Sequence, residues 1–364
     1  MILFAGKKLK GGLCNLALAA GALALSLAFY EGLVSYLMLR GLGPSAPEVL
    51  LKFFRAYYWE SPYRQVIQFD PNCAGYDGEV FYRLKPGKCT HEGLRFRNEY
   101  SINSLGVRDD ERSLSAPEII SIGDSHAMGW GVDQEATYTQ LLERRTGMTA
   151  LNMGISSFGT AREMTFLKRA DLSRLKYLII QYNDNDLEEN LAYLKNGNML
   201  KPRPPGSWKA FEKKDKNCRR YVPGAHFFRA LRMAVRALKQ GLSPQKQAGP
   251  AAHAQAFLAV LESFKKPELK NARLLIFDLS NEIHAGGAGP ESFAGALVSM
   301  SSSGRFKRFA GRIEVLDLGR ALNGAEYRNV IDNHINAEGH KLIAETILGH
   351  LKKKLFSETR CPWP

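Results

Sequence analysis

The feature that most constrains the fold is a series of short apolar runs spaced along the chain from residue 118 onward. The runs lie at residues 118–122, 150–153, 177–182, 274–277 and 313–316. The stretches between them, for example 137–145 and 161–175, have helical hydrophobic spacing. Short buried strands that alternate with helices form a mostly parallel sheet covered on both faces. The pattern therefore predicts an α/β fold, a flavodoxin-like three-layer sandwich with a central, mostly parallel, five-stranded sheet.

The amino-terminal segment predicts export. A basic segment at residues 1–11 precedes an apolar run at 13–29. Extended to residues 12–40, this segment is long enough to cross a bilayer, and its lysines favour a cytoplasmic amino terminus. A cleaved signal peptide is the alternative, because Ala22 and Ala24 offer small residues for cleavage. Both interpretations export the body of the chain, and the first predicts a single-pass protein of the inner (cytoplasmic) membrane with its main domain periplasmic or extracytoplasmic.

Residues 44–117 are aromatic and rich in turn formers, and they predict a small lead-in subdomain ahead of the sheet. The five cysteines of the chain fit an oxidising compartment, where disulfides persist. Cys73 and Cys89 are close in sequence and are the preferred pair, whereas Cys218 and Cys361 are far apart. No cysteine or histidine cluster has the spacing of metal ligands, so no structural zinc is predicted.

Positive charge is concentrated in one insertion. Residues 201–246 hold thirteen Lys and Arg against two acidic residues, in a chain whose net charge is +14. No nucleic-acid-binding motif accompanies them, so no nucleic-acid partner is predicted. Residues 225–240 have the pattern of an amphipathic basic helix, which is either a solvated helix over the sheet or a surface that meets anionic lipid or acidic polysaccharide. His226 and His253 have no evident partners in the sequence and are predicted at the surface.

Polar motifs follow the ends of several strand-like runs, which is where ligands bind in open α/β sheets. The motifs are Gly-Asp-Ser-His at 123–126, the segment 152–160, Asn-Asp-Asn-Asp at 183–186 and Asp-Asn-His at 332–334. Any one of them alone is a common turn or helix cap. In this order, they resemble the four blocks of the SGNH/GDSL hydrolase superfamily, in a membrane-anchored Asp-x-His variant. The resemblance covers residues 118–351 apart from the basic insertion, and the hydrolase-like domain is predicted over 118–356.

The resemblance implies a catalytic triad. Ser125 matches the nucleophile, His334 the base that takes its proton, and Asp332 the carboxylate that orients the imidazole. Only one residue separates Asp332 from His334, so this loop is expected to be non-helical until about Ala337. His340 is the competing base, but a helix that begins near Ala337 carries it one turn away from the site.

The resemblance also implies an oxyanion hole formed by the backbone N–H groups of Ser125 and Ser157 and the side-chain amide of Asn185. The sequence departs from the family pattern at two positions. Ser157 stands where the family has Gly, and Asp184 replaces the Gly before Asn185. A carboxylate at Asp184 would oppose the oxyanion unless it points into solvent or pairs with the basic insertion.

Three further residues are predicted to contact substrate. They are His126, Trp130 and Gly159. His126 and Trp130 follow the nucleophile closely, and core packing is an equally good interpretation of the Trp130 ring. Asp124 and Asp186 are interpreted as caps or braces of their loops.

The sequence as a whole predicts an exported, membrane-anchored serine esterase or O-acyltransferase. Family resemblance implies that its substrate is an ester, namely an O-acyl or O-acetyl group on a glycan or lipid of the cell envelope. The same resemblance implies an acyltransferase as a partner. No metal or organic cofactor is required for an acyl-enzyme mechanism. The alternative hypothesis is a catalytically silent module with the same fold that binds envelope glycan, and Asp184 is its best support.

Overall fold

The computed structural model describes residues 2–43, 45–61, 63–242, 248–280, 292–302, 304–318 and 321–358. Cys361, Pro44 at the start of the predicted lead-in subdomain, and residues 243–246 of the basic insertion lie outside the described residues. By their internal contacts the residues fall into two compact units. The first comprises Met1–Arg64, Lys216–Gln245 and Val330–Asp332, and the second comprises Gln65–Asp215, Lys246–Asn329 and Asn333–Pro364.

The α-helices are α1 (Ile2–Tyr36), α2 (Glu48–Glu60), α3 (Ser125–Met128), α4 (Tyr138–Thr146), α5 (Thr160–Leu167), α6 (Asp186–Lys195), α7 (Pro205–Arg219), α8 (Ala225–Leu242), α9 (Pro250–Ser263), α10 (Phe293–Ser301) and α11 (Ala337–Glu358). The strands are β1 (Ala74–Asp77), β2 (Phe81–Leu84), β3 (Gly87–Glu92), β4 (Arg97–Ile102), β5 (Ile119–Ile122), β6 (Ala150–Asn152), β7 (Tyr177–Tyr182), β8 (Arg273–Asp278) and β9 (Ile313–Val315). Short 3-10 and π-helical turns connect several of these elements.

The first unit contains α1, α2 and α8. One stretch in the described part of the chain, Cys14–Arg40, is long and apolar enough to cross a membrane, as judged by length and composition. The basic amphipathic helix predicted over 225–240 is observed as α8. The surface prediction for His226 is wrong, because its ring is buried and bonds to Ser35 of α1 and Tyr57 of α2. Both partners lie far from His226 in sequence, so no local pattern could indicate them.

The second unit contains the parallel sheet. Its strand order is β6-β5-β7-β8-β9, and each neighbouring pair runs parallel. The five strands occupy the five apolar runs identified in the sequence, and their order is that of the flavodoxin-like fold. The predicted fold class is therefore confirmed.

Alternate residues of the strands face opposite layers of the sandwich. Ile120 and Leu178 pack into a core that includes Phe166 of α5 and Phe257 of α9. Their neighbours along the strands pack into a second core with side chains of α4 and α11. Helices on both faces explain why the strands read as continuous apolar runs rather than as alternating ones.

Two antiparallel hairpins precede the sheet, β1 with β2 and β3 with β4. A disulfide joins Cys73 to Cys89, as preferred from the sequence. Both cysteines belong to a small core that also contains Tyr100, Met128 and Trp130. The hairpins therefore pack directly against the segment that follows α3.

Two details of the second unit differ from expectation. Helix α5 ends at Leu167 rather than near residue 175, because the chain enters turns there and Asp171 accepts a hydrogen bond from Ser173 N. The surface prediction for His253 is also wrong. His253 is buried in α9 and bonds through Nδ1 to the Tyr182 hydroxyl at 2.7 Å. A strand and a helix that meet only in the folded chain bring these two residues together.

Candidate active site

Ser125 is the first residue of α3, directly after the turn that follows β5. Gly123 in the turn has a φ of 154°, and a Cβ there would lie 2.7 Å from the Cβ of Ala127, which cannot move aside. The turn therefore excludes any side chain at Gly123. Asp124 caps α3 by accepting a hydrogen bond from His126 N at 2.8 Å. Strand, turn and cap together place the Ser125 hydroxyl at the carboxyl edge of the sheet.

The Ser125 hydroxyl contacts the imidazole predicted as its base. Ser125 Oγ lies 2.9 Å from His334 Nε2, across 209 residues of sequence. This is a hydrogen-bond distance, and in the tautomer with its proton on Nδ1 the imidazole accepts the hydroxyl proton. The arrangement is one in which a histidine can remove the proton from a nucleophilic serine.

The loop that carries His334 is held by its own backbone. His334 O accepts a hydrogen bond from Asn329 N at 2.8 Å, and Asn333 N donates to Asn329 O at 3.1 Å. Asn333 has a φ of 60°, so the chain reverses between Asp332 and His334. Helix α11 begins at Ala337, as expected from the sequence. Asp332 is buried, and its orienting role stays a prediction.

Aromatic rings enclose the His334 imidazole. The Trp130 ring stacks on it with centroids 4.8 Å apart and an interplanar angle of 12°, and the His126 ring lies at 4.9 Å. Trp130 is only 3% exposed. Burial and the neighbouring His334 lower the pKa of His126 well below its ordinary value, so His126 is neutral at pH 7. Substrate contact by His126 and Trp130 stays a prediction, whereas their contact with the imidazole is direct.

Arg108 holds the segment that carries Trp130, and no motif in the sequence indicated this residue. Its guanidinium donates to Gly129 O and Val132 O at 2.6 Å each, and to Met128 O at 3.2 Å. The same group lies 3.6 Å from the centroid of the Tyr100 ring. Arg108 is 1% exposed. A buried cation thus fixes the loop between α3 and the ring that stacks on His334.

The competing histidine is used elsewhere. His340 is fully buried in the first turns of α11 and accepts a hydrogen bond from Tyr138 N at 3.1 Å. Its ring stacks on that of Tyr138. Burial lowers the pKa of His340 to about 3, so it is neutral at pH 7. These contacts give His340 a packing role between α11 and α4.

Part of the set predicted for the oxyanion hole and substrate contact lines a cleft of about 570 Å³, whereas Ser125, His126 and Trp130 are not among the described residues that line it. Ser157, Gly159 and Asn185 line it together. Ser157 has a φ of 60°, so it adopts the left-handed conformation that the family's glycine would favour, and its hydroxyl accepts a hydrogen bond from Gln68 Nε2 at 3.0 Å. Asp184 is half-exposed next to Asn185.

Three buried carboxyl groups lie behind these loops. Asp124 accepts hydrogen bonds from His126 N and Asn183, and Asp186 accepts one from the Thr160 hydroxyl at 2.8 Å. Burial, reinforced by neighbouring carboxyls, raises the pKa of Asp186 and of Glu163 well above their ordinary values. Asp124 and Asp186 thus brace their loops. Within the described ranges, no group of three or more His, Cys, Asp or Glu residues could hold a metal ion.

Comparisons with known proteins find similarity among solved structures. No protein-family model matches the chain, and no curated protein matches it in sequence. A psychrotrophic esterase, EstA, from Pseudoalteromonas is 14% identical over 65% of this chain and 98% of its own, with a TM-score of 0.36. A member of the lipolytic protein G-D-S-L family from Veillonella parvula is 12% identical over 64% and 96%, with a TM-score of 0.36. A carbohydrate esterase family 2 enzyme from Corynascus thermopiles is 14% identical over 65% and 66%, with a TM-score of 0.39.

Proposed function

We propose that the chain is an SGNH-type serine hydrolase that acts on an ester bond. The observation that carries the proposal is the 2.9 Å contact between Ser125 Oγ and His334 Nε2, at the carboxyl edge of a flavodoxin-like sheet. A hydroxyl and an imidazole in this relation form the nucleophile and base of an acyl-transfer site. The order of the sequence blocks that contain them supports the same reaction.

In the proposed reaction, Ser125 Oγ attacks the acyl carbon of the ester while His334 Nε2 takes the hydroxyl proton. The carbonyl oxygen becomes an oxyanion, for which the backbone N–H groups of Ser125 and Ser157 and the amide of Asn185 are the proposed donors. Collapse of this intermediate breaks the bond to the leaving alcohol, which receives the proton from His334. A water molecule then attacks the acyl-enzyme with His334 again as base, and releases the acid and Ser125.

Two neighbours are proposed to support the imidazole. Asp332 would accept a hydrogen bond from it and stabilise the imidazolium that forms. Trp130 keeps the ring in one orientation through their parallel stacking, and the face of an indole attracts a cation. The indole would therefore stabilise the protonated form of His334 that develops in the transition state.

The proposed substrate is an O-acylated glycan or lipid of the cell envelope. The cleft beside Ser157 and Asn185 combines the aromatic rings of Phe81 and Tyr193 with charged groups such as Arg162. Aromatic faces with a few polar groups suit the binding of a ligand with both apolar and hydroxyl surfaces. We further propose that the acyl group can pass to a sugar hydroxyl instead of water, and that an acyltransferase is the partner of the protein. The Cys14–Arg40 stretch would anchor the protein in the inner membrane with this domain outside the cytoplasm.

The test uses the full-length protein in detergent with an activated acetate ester and a fluorophosphonate probe. Wild type should hydrolyse the ester and carry the probe on Ser125. Ser125→Ala and His334→Ala should each lose activity by about a thousandfold or more while keeping the far-UV circular dichroism of wild type. Ser115→Ala, an exposed serine ten residues upstream, is the matched control and should behave as wild type. Labelling at another serine, or full activity in Ser125→Ala, would contradict the proposal.

A silent glycan-binding module is the second candidate function. The observation that favours it is Asp184, a half-exposed carboxyl beside the proposed oxyanion donor Asn185. If wild type is inert toward esters and unlabelled by the probe yet binds acylated glycan, this second function replaces the first. In that case Asp184→Gly, which restores the family residue, is expected to confer measurable turnover.

A further inference from the structure

We infer that α8 lies in the surface of a membrane, with one apolar stripe inserted among the lipids and its basic groups at the headgroups. The occupant of this face is the outer surface of the bilayer that α1 is proposed to span, so the inference rests on the proposed anchor. It is independent of the esterase chemistry. The supporting observations all come from the unit formed by α1, α2 and α8.

The apolar stripe runs along the described length of α8. Phe228, Leu231, Val235 and Leu238 are separated by three, four and three residues, and such spacing places them on one face of a helix. Their exposures are 62%, 50%, 43% and 70%. Four large apolar side chains exposed in one row form the kind of continuous patch that marks a contact surface.

A basic stripe runs beside the apolar one. Arg229, Arg232, Arg236 and Lys239 have the same spacing of three, four and three residues. Arg236 pairs with Glu60 of α2, whereas the side chains of Arg232 and Lys239 are exposed. A helix with a large apolar face and flanking cations is typical of segments that lie in the headgroup region of an anionic bilayer.

The amino terminus of α8 is fixed to the proposed anchor helix. Glu31 of α1 accepts hydrogen bonds from Phe227 N and from the Tyr221 hydroxyl, each at 2.9 Å. His226 bonds to the Ser35 hydroxyl of α1, also at 2.9 Å. Burying a carboxylate in an apolar membrane helix costs free energy unless hydrogen-bond donors satisfy it. Here the donors are the Phe227 N–H in the first turn of α8 and the Tyr221 hydroxyl just before that helix.

The position of this junction matches the surface of a bilayer. Glu31 is seventeen residues beyond Cys14, which is about 26 Å along the axis of an α-helix. A hydrocarbon core is about 30 Å thick, so Glu31 would lie near its far boundary when Cys14 lies near the cytoplasmic one. Helix α8 would therefore begin at the level of the outer headgroups.

A groove between the two helices supports the same placement. Its volume is about 570 Å³, and it is lined mainly by small and apolar residues that include Leu27, Ala28, Gly32 and Phe228. An apolar groove that opens beside a membrane helix can accept the upper part of a lipid chain. Lipid would thus cover the groove and the apolar stripe of α8 together, whereas an acidic polysaccharide would engage only the cations.

The test attaches an environment-sensitive fluorophore to single cysteines in full-length protein reconstituted into vesicles of phosphatidylcholine and phosphatidylglycerol. Cys14, Cys218 and Cys361 are replaced by Ser, and the new cysteine is introduced at Leu231. Nitroxide on the lipid headgroup region should quench the Leu231 probe about twofold or more, and aqueous iodide should barely reach it. Control probes are attached to cysteines introduced in the same way at Arg232, which adjoins Leu231, and at Lys209 of α7. Both control probes should remain accessible to iodide.

A probe at Leu231 that iodide quenches as fully as one at Lys209, with no effect of the lipid nitroxide, would overturn the inference. Protection of the Arg232 probe by heparin, with no effect of lipid at Leu231, would also overturn it, in favour of a polysaccharide surface. A further probe at Leu23 of α1, with the nitroxide moved to the lipid acyl chain because Leu23 would lie near the centre of the bilayer, reports separately on the anchor. Lipid quenching at Leu23 without quenching at Leu231 refutes the placement of α8 alone, and loss at both positions refutes the anchor as well.

Discussion

Replacement of Arg108 by Met should weaken both the fold and the reaction. Met is similar in length but donates no hydrogen bond. Gly129 O keeps contacts with Tyr100 OH at 3.3 Å and with Val132 N at 3.2 Å. The carbonyls of Met128 and Val132 accept hydrogen bonds from Arg108, and no other described residue is seen to donate to them. A buried carbonyl left without a donor costs about 1–3 kcal/mol, so the free energy of unfolding should fall by about 2–6 kcal/mol.

The same substitution loosens the segment that carries Trp130, and therefore the stacking on His334. A displacement of about 1 Å in a catalytic group can lower a rate by about a hundredfold, so we expect kcat/KM to fall by about ten- to a hundredfold. Urea unfolding gives the stability and ester hydrolysis gives the rate. Arg112→Met removes an exposed arginine from the same segment and should change the free energy of unfolding by less than about 0.5 kcal/mol. Wild-type stability and activity in Arg108→Met would refute the reasoning.

Three further predictions concern the packing around the site. Because the pKa of His340 is lowered to about 3 by burial, the unfolded chain binds a proton that the folded chain does not, and stability falls below pH 6.5. Between pH 7 and pH 5 wild type should lose about 2 kcal/mol more than His340→Gln in urea unfolding, and equal losses would contradict this. Mutation of both Cys73 and Cys89 to Ser opens a loop with a sequence separation of 16 residues and should cost about 3 kcal/mol, measured as a lower thermal midpoint than that of Cys218→Ser. Gly154→Ala places a Cβ 2.3 Å from Met128 N and should reduce activity by displacing the helix that begins at Ser125. Gly206→Ala, where the space around the added Cβ is open, should leave activity intact, and equal activities of the two variants would argue against the close packing at Gly154.

Local patterns predicted much of the fold, and the family resemblance implied the central contact of the site. The apolar runs predicted all five strands, because strands buried on both faces need continuous apolar sequence. The blocks that contain Ser125 and His334 predicted a pair that the fold brings to 2.9 Å. Each of these features depends on a short contiguous stretch of sequence that includes its own turn or helix cap.

Contacts between distant segments could not be predicted in this way. Arg108 looks like any arginine in a polar turn, and only the folded hairpins bring it to the carbonyls after α3. His226 and His253 become buried because helices from elsewhere in the chain cover them. The one local feature of Arg108 is that three acidic residues follow it directly in the sequence. Such a pattern is common at exposed turns and does not identify a buried cation.

The small core that contains the Cys73–Cys89 bridge also contains Met128 and Trp130. His91 of β3 also contacts the indole of Trp130, with ring centroids 4.4 Å apart. Formation of the bridge is therefore expected to order the core next to Trp130, whose ring stacks on His334, as well as the hairpins. Under the proposed function, we expect the reduced chain to hydrolyse esters more slowly than the oxidised one, so formation of the Cys73–Cys89 bridge would set when the protein becomes fully active.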